Sequence, residues 1–162
     1  MYPMTAGVRR VPADPSVPPG HARPPEVVLV GAHGGAGVTT LAGLLRPAWD
    51  MGTVTKPGPA RGPLRPAGRP VVLVARNSVA AAGRAIAAAR LLGDQGVPVA
   101  VLAVISDGFP EPAEARYRFR VLEGRIGVIV RCRSSPRSGS PPIRCRLPSR
   151  APRARRDPGA RP

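Results

Sequence analysis

The residues with the most to offer chemically lie in one run, Gly31-Ala32-His33-Gly34-Gly35-Ala36-Gly37-Val38-Thr39-Thr40-Leu41. Closely spaced glycines let a backbone bend around an anion and aim its amides inward, and a hydroxyl just beyond them can take a cation that travels with phosphate. The run is therefore suited to a phosphorylated ligand. It contains no lysine or arginine, and a histidine supplies little positive charge near neutral pH. His33 reads as a turn residue rather than a base, because no serine, cysteine or aspartate stands beside it in a nucleophile pattern.

Such a loop works only between elements that hold it. Before it, Glu26-Val27-Val28-Leu29-Val30 is a short β-branched apolar run of the kind that forms a buried parallel strand. After it, Thr39 to Arg46 has helical spacing at Leu41, Leu44 and Leu45, and Pro47 marks the stop. The prolines and glycines between Pro47 and Pro70 predict a long loop, with a short extended piece near Thr53 to Thr55. Trp49 and Met51 within it read as packing residues that seal the end of the helix. Val71 to Ala75 predicts a second strand, Val79 to Leu92 an alanine-rich helix closed by Gly93, and Val97 to Ile105 a third strand. Glu111 to Leu122 predicts a further helix and Gly127 to Val130 a last strand. This alternation is the signature of an α/β fold with a mostly parallel sheet.

In that setting the loop resembles the deviant Walker loop of the ParA/MinD class of P-loop ATPases, K-G-G-x-G-K-[TS]-[TS]. Gly34, Gly35 and Gly37 match its glycines, and Thr39 and Thr40 its hydroxyl pair, whereas His33 and Val38 stand where the two lysines belong. The resemblance covers residues 26–130 and implies a three-layer P-loop-like (Rossmannoid) domain. It implies a nucleotide site made by Gly34, Gly35, Ala36, Gly37, Val38, Thr39 and Thr40, with Thr39 on Mg2+ and ATP or GTP as a weakly held cofactor.

A valine in place of the phosphate-binding lysine removes several kcal/mol of transition-state stabilisation, so hydrolysis and catalytic residues are not expected. The family's D-x-x-G switch strand has no counterpart between Pro47 and Pro70. Asp50 is the only acid between Glu26 and Asp94, which provides poorly for a magnesium-ordering carboxylate. Ser106 or Asp107 stands where the family often carries an adenine-reading asparagine. The chain is also similar to an uncharacterised actinobacterial group of P-loop-like proteins, which agrees with a basic set in which only Lys56 is not arginine.

The flanks differ in character. Residues 1–25 carry seven prolines and predict a disordered leader that includes His21. From Arg131 the pattern dissolves into Arg, Pro, Ser and Gly, with ten arginines against Asp157, and the expectation is a disordered tail. A shift of the coding frame near that point is a second explanation for the break. Much of the net charge of +16 therefore lies outside the domain. The tail could contact nucleic acid through phosphates, without sequence preference. Arg116, Arg118, Arg120 and Arg125 read either as a basic stripe or as a solvated helix face.

Cys132 and Cys145 lack metal-ligand spacing and read as free thiols of a reducing cytoplasm. No apolar run is long enough for a membrane span. The expectations for function are a P-loop-like, nucleotide-associated regulatory or scaffold subunit that does not hydrolyse its ligand. The alternatives are an interaction protein that binds a protein or DNA partner without nucleotide, and a truncated, frame-shifted product without function.

Overall fold

The structure is a computed structural model that describes residues 9–11, 26–54, 62–106, 108–134 and 143–146. Its centre is a parallel sheet of β2 (Val27–Gly31), β3 (Ala48–Thr53), β4 (Val71–Arg76), β5 (Val99–Ser106) and β6 (Val128–Ser134), in the order β3-β2-β4-β5-β6. An antiparallel strand closes each edge: β1 (Arg9–Val11) pairs with β3, and β7 (Ile143–Arg146) pairs with β6. The helices are α1 (Val38–Leu44), α2 (Val79–Asp94) and α3 (Ala113–Arg120).

The expected α/β fold with a mostly parallel sheet is therefore present. Its strands are valine-rich because both faces are covered. On one face α2 and α3 bury Ala85, Leu92, Phe119 and Leu122 against Val30, Leu73, Leu102 and Val104. On the other, Leu41 and Ala42 of α1 pack with Leu29, Val74, Ala103 and Ile105. The alternation of odd and even strand residues between the two clusters is the period-two pleat at work.

The helix ends follow local chemistry. Ser78 caps α2, its Oγ accepting from the Ala81 amide at 3.2 Å. The helix runs through Gly93 to Asp94, and Gly96, with φ of +70°, makes the left-handed turn that the sequence reading gave to Gly93. In α3, Ala115 and Phe119 are buried, as is Leu122 just beyond it, at the i, i+4, i+7 spacing of one helical face.

Four expectations change. The long loop from Pro47 begins with a strand, β3, because Ala48 to Thr53 completes its hydrogen bonding between β1 and β2. Trp49 and Met51 do pack, but from that strand and against the cluster opposite α1. Arg9–Val11, inside the expected disordered leader, forms a strand, and β6 continues past Val130 to Ser134 and pairs with Ile143–Arg146. The rest of the leader, with His21, and the rest of the tail lie outside the described residues, as do Thr55 of the loop and Asp107. Finally, Cys132 and Cys145 are not free thiols: they face each other across β6 and β7 and are joined by a disulfide. The cysteines thus give no support for a reducing compartment. Among the described residues no helix is long and apolar enough to cross a membrane.

Candidate functional site

Numbered in chain order, the five parallel strands run 2-1-3-4-5, so the chain leaves the first strand for a neighbour on one side and later returns to its other side. Loops at the carboxyl ends of the strands diverge at that point, and a crevice opens between them. The glycine loop from Ala32 to Gly37 leaves β2 there. Its backbone is stitched down by the Ala32 amide, which donates to the Val74 carbonyl at 2.8 Å, and by the Val54 amide, which donates to the Gly31 carbonyl at 2.8 Å.

The loop needs two of its glycines for conformation alone. Gly35 has φ of +72° and Gly37, at the start of α1, φ of +99°, a region where a Cβ clashes with the backbone. Gly34 has neither constraint, and a Cβ added there meets open space.

A cavity of about 350 Å³ lies against the loop. Of the seven residues expected to form a ligand site, Gly35, Ala36, Gly37, Val38, Thr39 and Thr40 line it, and Gly34 does not. The side chains do not all face it equally. Ala36 and Val38 are buried, 1% and 8% exposed, in the cluster beneath α1, while Thr39 and Thr40 are exposed. The position matched to the phosphate-binding lysine therefore belongs to the core.

His33, Asp50, Gly52, Thr53 and Arg76 also line it, and Asp50 and Arg76 come one from each strand beside β2. On β3, Ala48 and Asp50 share the face toward α1 and alternate with Trp49 and Met51. That alternation brings Asp50 to the start of α1, where Thr39 Oγ1 donates to Asp50 Oδ2 at 3.0 Å. Asp50 Oδ1 accepts from the Gly52 amide at 2.8 Å, which fixes the carboxylate at the end of its strand. The carboxylate that the sequence reading found poorly provided is thus in contact with the hydroxyl it would have to serve.

From the end of β4, Arg76 Nε donates to the Gly35 carbonyl at 2.9 Å. The Arg76 amide nitrogen is 3.3 Å from His33 Nε2, and His33 Nδ1 is 2.8 Å from the Gly34 carbonyl. An amide can only donate, so Nε2 accepts and Nδ1 carries the ring hydrogen toward the carbonyl. His33 is a brace between the loop and β4, a contact that its reading as a turn residue did not include. Neither Asp50 nor Arg76 stood out in the sequence as a site residue. The available signal was their place at the carboxyl ends of strands flanking the glycine loop, and for Asp50 it was hidden because β3 was read as loop.

A hydroxyl oxygen and a carboxylate oxygen side by side suit Mg2+, which takes one or two protein oxygens and completes its shell with phosphate and water. Among the described residues no three His, Cys, Asp or Glu side chains gather into a metal cage, so a cation here would depend on ligand oxygens. Of the four arginines that read either as a basic stripe or as a solvated helix face, two make ion pairs: Arg118 pairs with Glu114 at 2.6 Å and donates to the Val79 carbonyl, and Arg116 pairs with Glu111 at 3.4 Å. No protein-family model, curated protein or solved structure matches the chain.

Proposed function

We propose that the cavity beside the glycine loop holds the phosphates of a nucleotide together with Mg2+, and that the protein is a P-loop-like, nucleotide-associated regulatory or scaffold subunit rather than a hydrolase. The observation that carries this reading is the hydrogen bond from Thr39 to Asp50 at the edge of the cavity. It joins a helix-start hydroxyl to a carboxylate from the adjacent parallel strand, a pair of hard oxygens of the kind that magnesium takes beside phosphate and water. Thr39 and Asp50 would hold the cation; bound Mg2+ would offset phosphate charge. The loop amides would face the phosphate oxygens.

Slow or absent turnover follows from Val38, whose side chain is part of the core and brings no charge to the transferred phosphate. ATP and GTP are both accommodated by this argument, since its contacts are to phosphate and metal. Calorimetric titration of the full chain with ATP or GTP, with magnesium and then with EDTA, tests it. Binding that depends on magnesium is expected, with a stabilisation of about 2.7 kcal/mol at a hundredfold excess over Kd and no phosphate release. Absence of binding by either nucleotide overturns the reading.

A second reading, an interaction module, draws on the exposure of Phe109, Tyr117 and Val121, at 78%, 71% and 52%. Tyr117 and Val121 lie one turn apart at α3 and its end. A partner captured equally well with and without nucleotide would favour it.

A further inference from the structure

We infer that the sheet edge formed by β6 and β7 is a docking surface for the phosphodiester backbone of a nucleic acid, built on Arg131, Arg133, Arg144 and Arg146 and independent of the nucleotide site. The antiparallel register sets Arg131 opposite Arg146 and Arg133 opposite Arg144, with Cys132 opposite Cys145 between the two pairs. Directly opposed positions share a face of the ribbon, and neighbours along a strand alternate between faces. Cys132 packs in the cluster beneath α1, so the four arginine positions fall on the other face of the sheet, at its edge. There Glu111 Oε2 accepts from Arg131 Nε at 3.0 Å, which offsets one of the four charges, and Arg133 is exposed.

Like charges directly opposite one another weaken a strand pair, and this ladder opposes arginine to arginine in two of its four registers. The disulfide crosslinks the strands in the register between those two pairs, so the array is held together against its own repulsion. A polyanion laid across it would relieve that repulsion. Positions on one face recur about every 6.8 Å along a strand, and neighbouring strands lie about 4.8 Å apart. The four positions therefore make a two-by-two grid, suited to successive phosphates, each of which an arginine can pair bidentately. Such contacts release counterions and read no base sequence. A bilayer fits less well, because binding there adds buried apolar area to basic charge, and among the described residues none of the exposed large apolar side chains belongs to β6.

The test separates this array from net charge. Arg133→Gln/Arg144→Gln removes two charges from the grid, whereas Arg84→Gln/Arg90→Gln removes two exposed charges from α2. The full-length chain and both variants, each shown by circular dichroism to be folded, are titrated across a salt series with a short labelled duplex DNA and with single-stranded RNA of the same length. The slope of log K against log salt should flatten in the array variant by about 0.9 per lost contact on the duplex, or about 0.7 on the single strand. The single variant Arg133→Gln should show about half that change, and the α2 variant should keep the parental slope. Array-dependent binding to either polymer supports the inference, and the tighter of the two identifies the source of the phosphates. An unchanged slope in the array variant, or equal flattening in both double variants, overturns it, since attraction would then follow overall charge. Array-dependent binding to phosphatidylserine vesicles that matches the nucleic-acid affinity would overturn it as well, by assigning the surface to a membrane.

Discussion

On one face of the sheet α2 and α3 bury Phe119, Leu92, Leu122 and a column of alanines; on the other, α1 spans only seven residues and leaves a cavity open beside the glycine loop. The first face contains Phe119, the largest fully buried side chain among the described residues, and a helix of 16 residues capped by Ser78. The second contains the Thr39 hydroxyl and the Asp50 carboxylate, in contact at the edge of that cavity. A short helix covers less apolar surface, and the uncovered strand ends are where polar side chains can be aimed without being buried unpaired. Stability and binding should therefore separate by face, and each substitution below either keeps or breaks that separation.

Phe119→Ala should have the largest effect. The ring is fully buried between α3 and the core, and truncations of this kind cost about 3–5 kcal/mol through lost transfer energy and the cavity left behind. Urea denaturation of the full chain measures it. A loss below about 1 kcal/mol would mean that this face relaxes too readily to be the main source of stability.

Val38→Lys comes next, and here the structure reverses what the loop's resemblance suggests. Restoring a lysine to the matched position looks like a repair. Val38 is 8% exposed, however, and its Cγ2 lies where a Cβ on Gly31 would come within 3.0 Å. A longer, charged side chain should cost about 2 kcal/mol through overpacking and desolvation. Denaturation midpoints would show the loss. A variant that is as stable as the parent and binds Mg-ATP more tightly would show that the loop can turn this side chain outward, and would move Val38 from the core to the site.

Asp50→Asn probes the other side of the comparison. It keeps an acceptor for the Gly52 amide, turns toward the Thr39 hydroxyl an NH2 that can donate to it, and removes the charge, so stability should change by less than about 1 kcal/mol. Affinity for Mg-ATP should fall by about tenfold, equivalent to about 1.4 kcal/mol. Titration in magnesium and in EDTA distinguishes the outcomes: the unmodified and variant chains should differ with the metal present and converge without it. An equal loss in both conditions would place Asp50 in loop support instead of cation binding.

The central sheet was legible because buried parallel strands announce themselves as unbroken valine-rich runs, and β2, β4 and β5 are such runs. Strand β3 was not. Ala48-Trp49-Asp50-Met51-Gly52-Thr53 has a charge, a glycine and little branching, and its strand conformation comes from pairing with β1 and β2, which no local pattern reveals. The same hidden strand carried Asp50, so the loop's hydroxyl was visible in the sequence and its carboxylate partner was not. The disulfide escaped for a related reason. Cys132 and Cys145 are brought together by the antiparallel pairing of β6 with the edge strand β7, a run of four residues too short for its alternation to mark a strand.

The smallest expected effect lies on β3, which belongs to both faces. Its Trp49 side is clasped by Glu26, whose Oε2 accepts from Trp49 Nε1 at 2.9 Å and from Arg69 Nε at 2.8 Å. The Arg69 guanidinium sits 4.8 Å from the centre of the Trp49 ring, within cation–π range. Glu26→Gln leaves an acceptor for the indole and removes the charge facing Arg69. Because the pair is partly exposed, the loss should be about 0.5–1 kcal/mol at low salt. It should shrink at about 1 M salt, where the screening length is about 3 Å. Mg-ATP affinity should be unchanged, since Asp50 lies on the opposite face of the same strand. If affinity falls as well, β3 transmits the clasp to the carboxylate, and the division of labour between the two faces is weaker than their packing suggests.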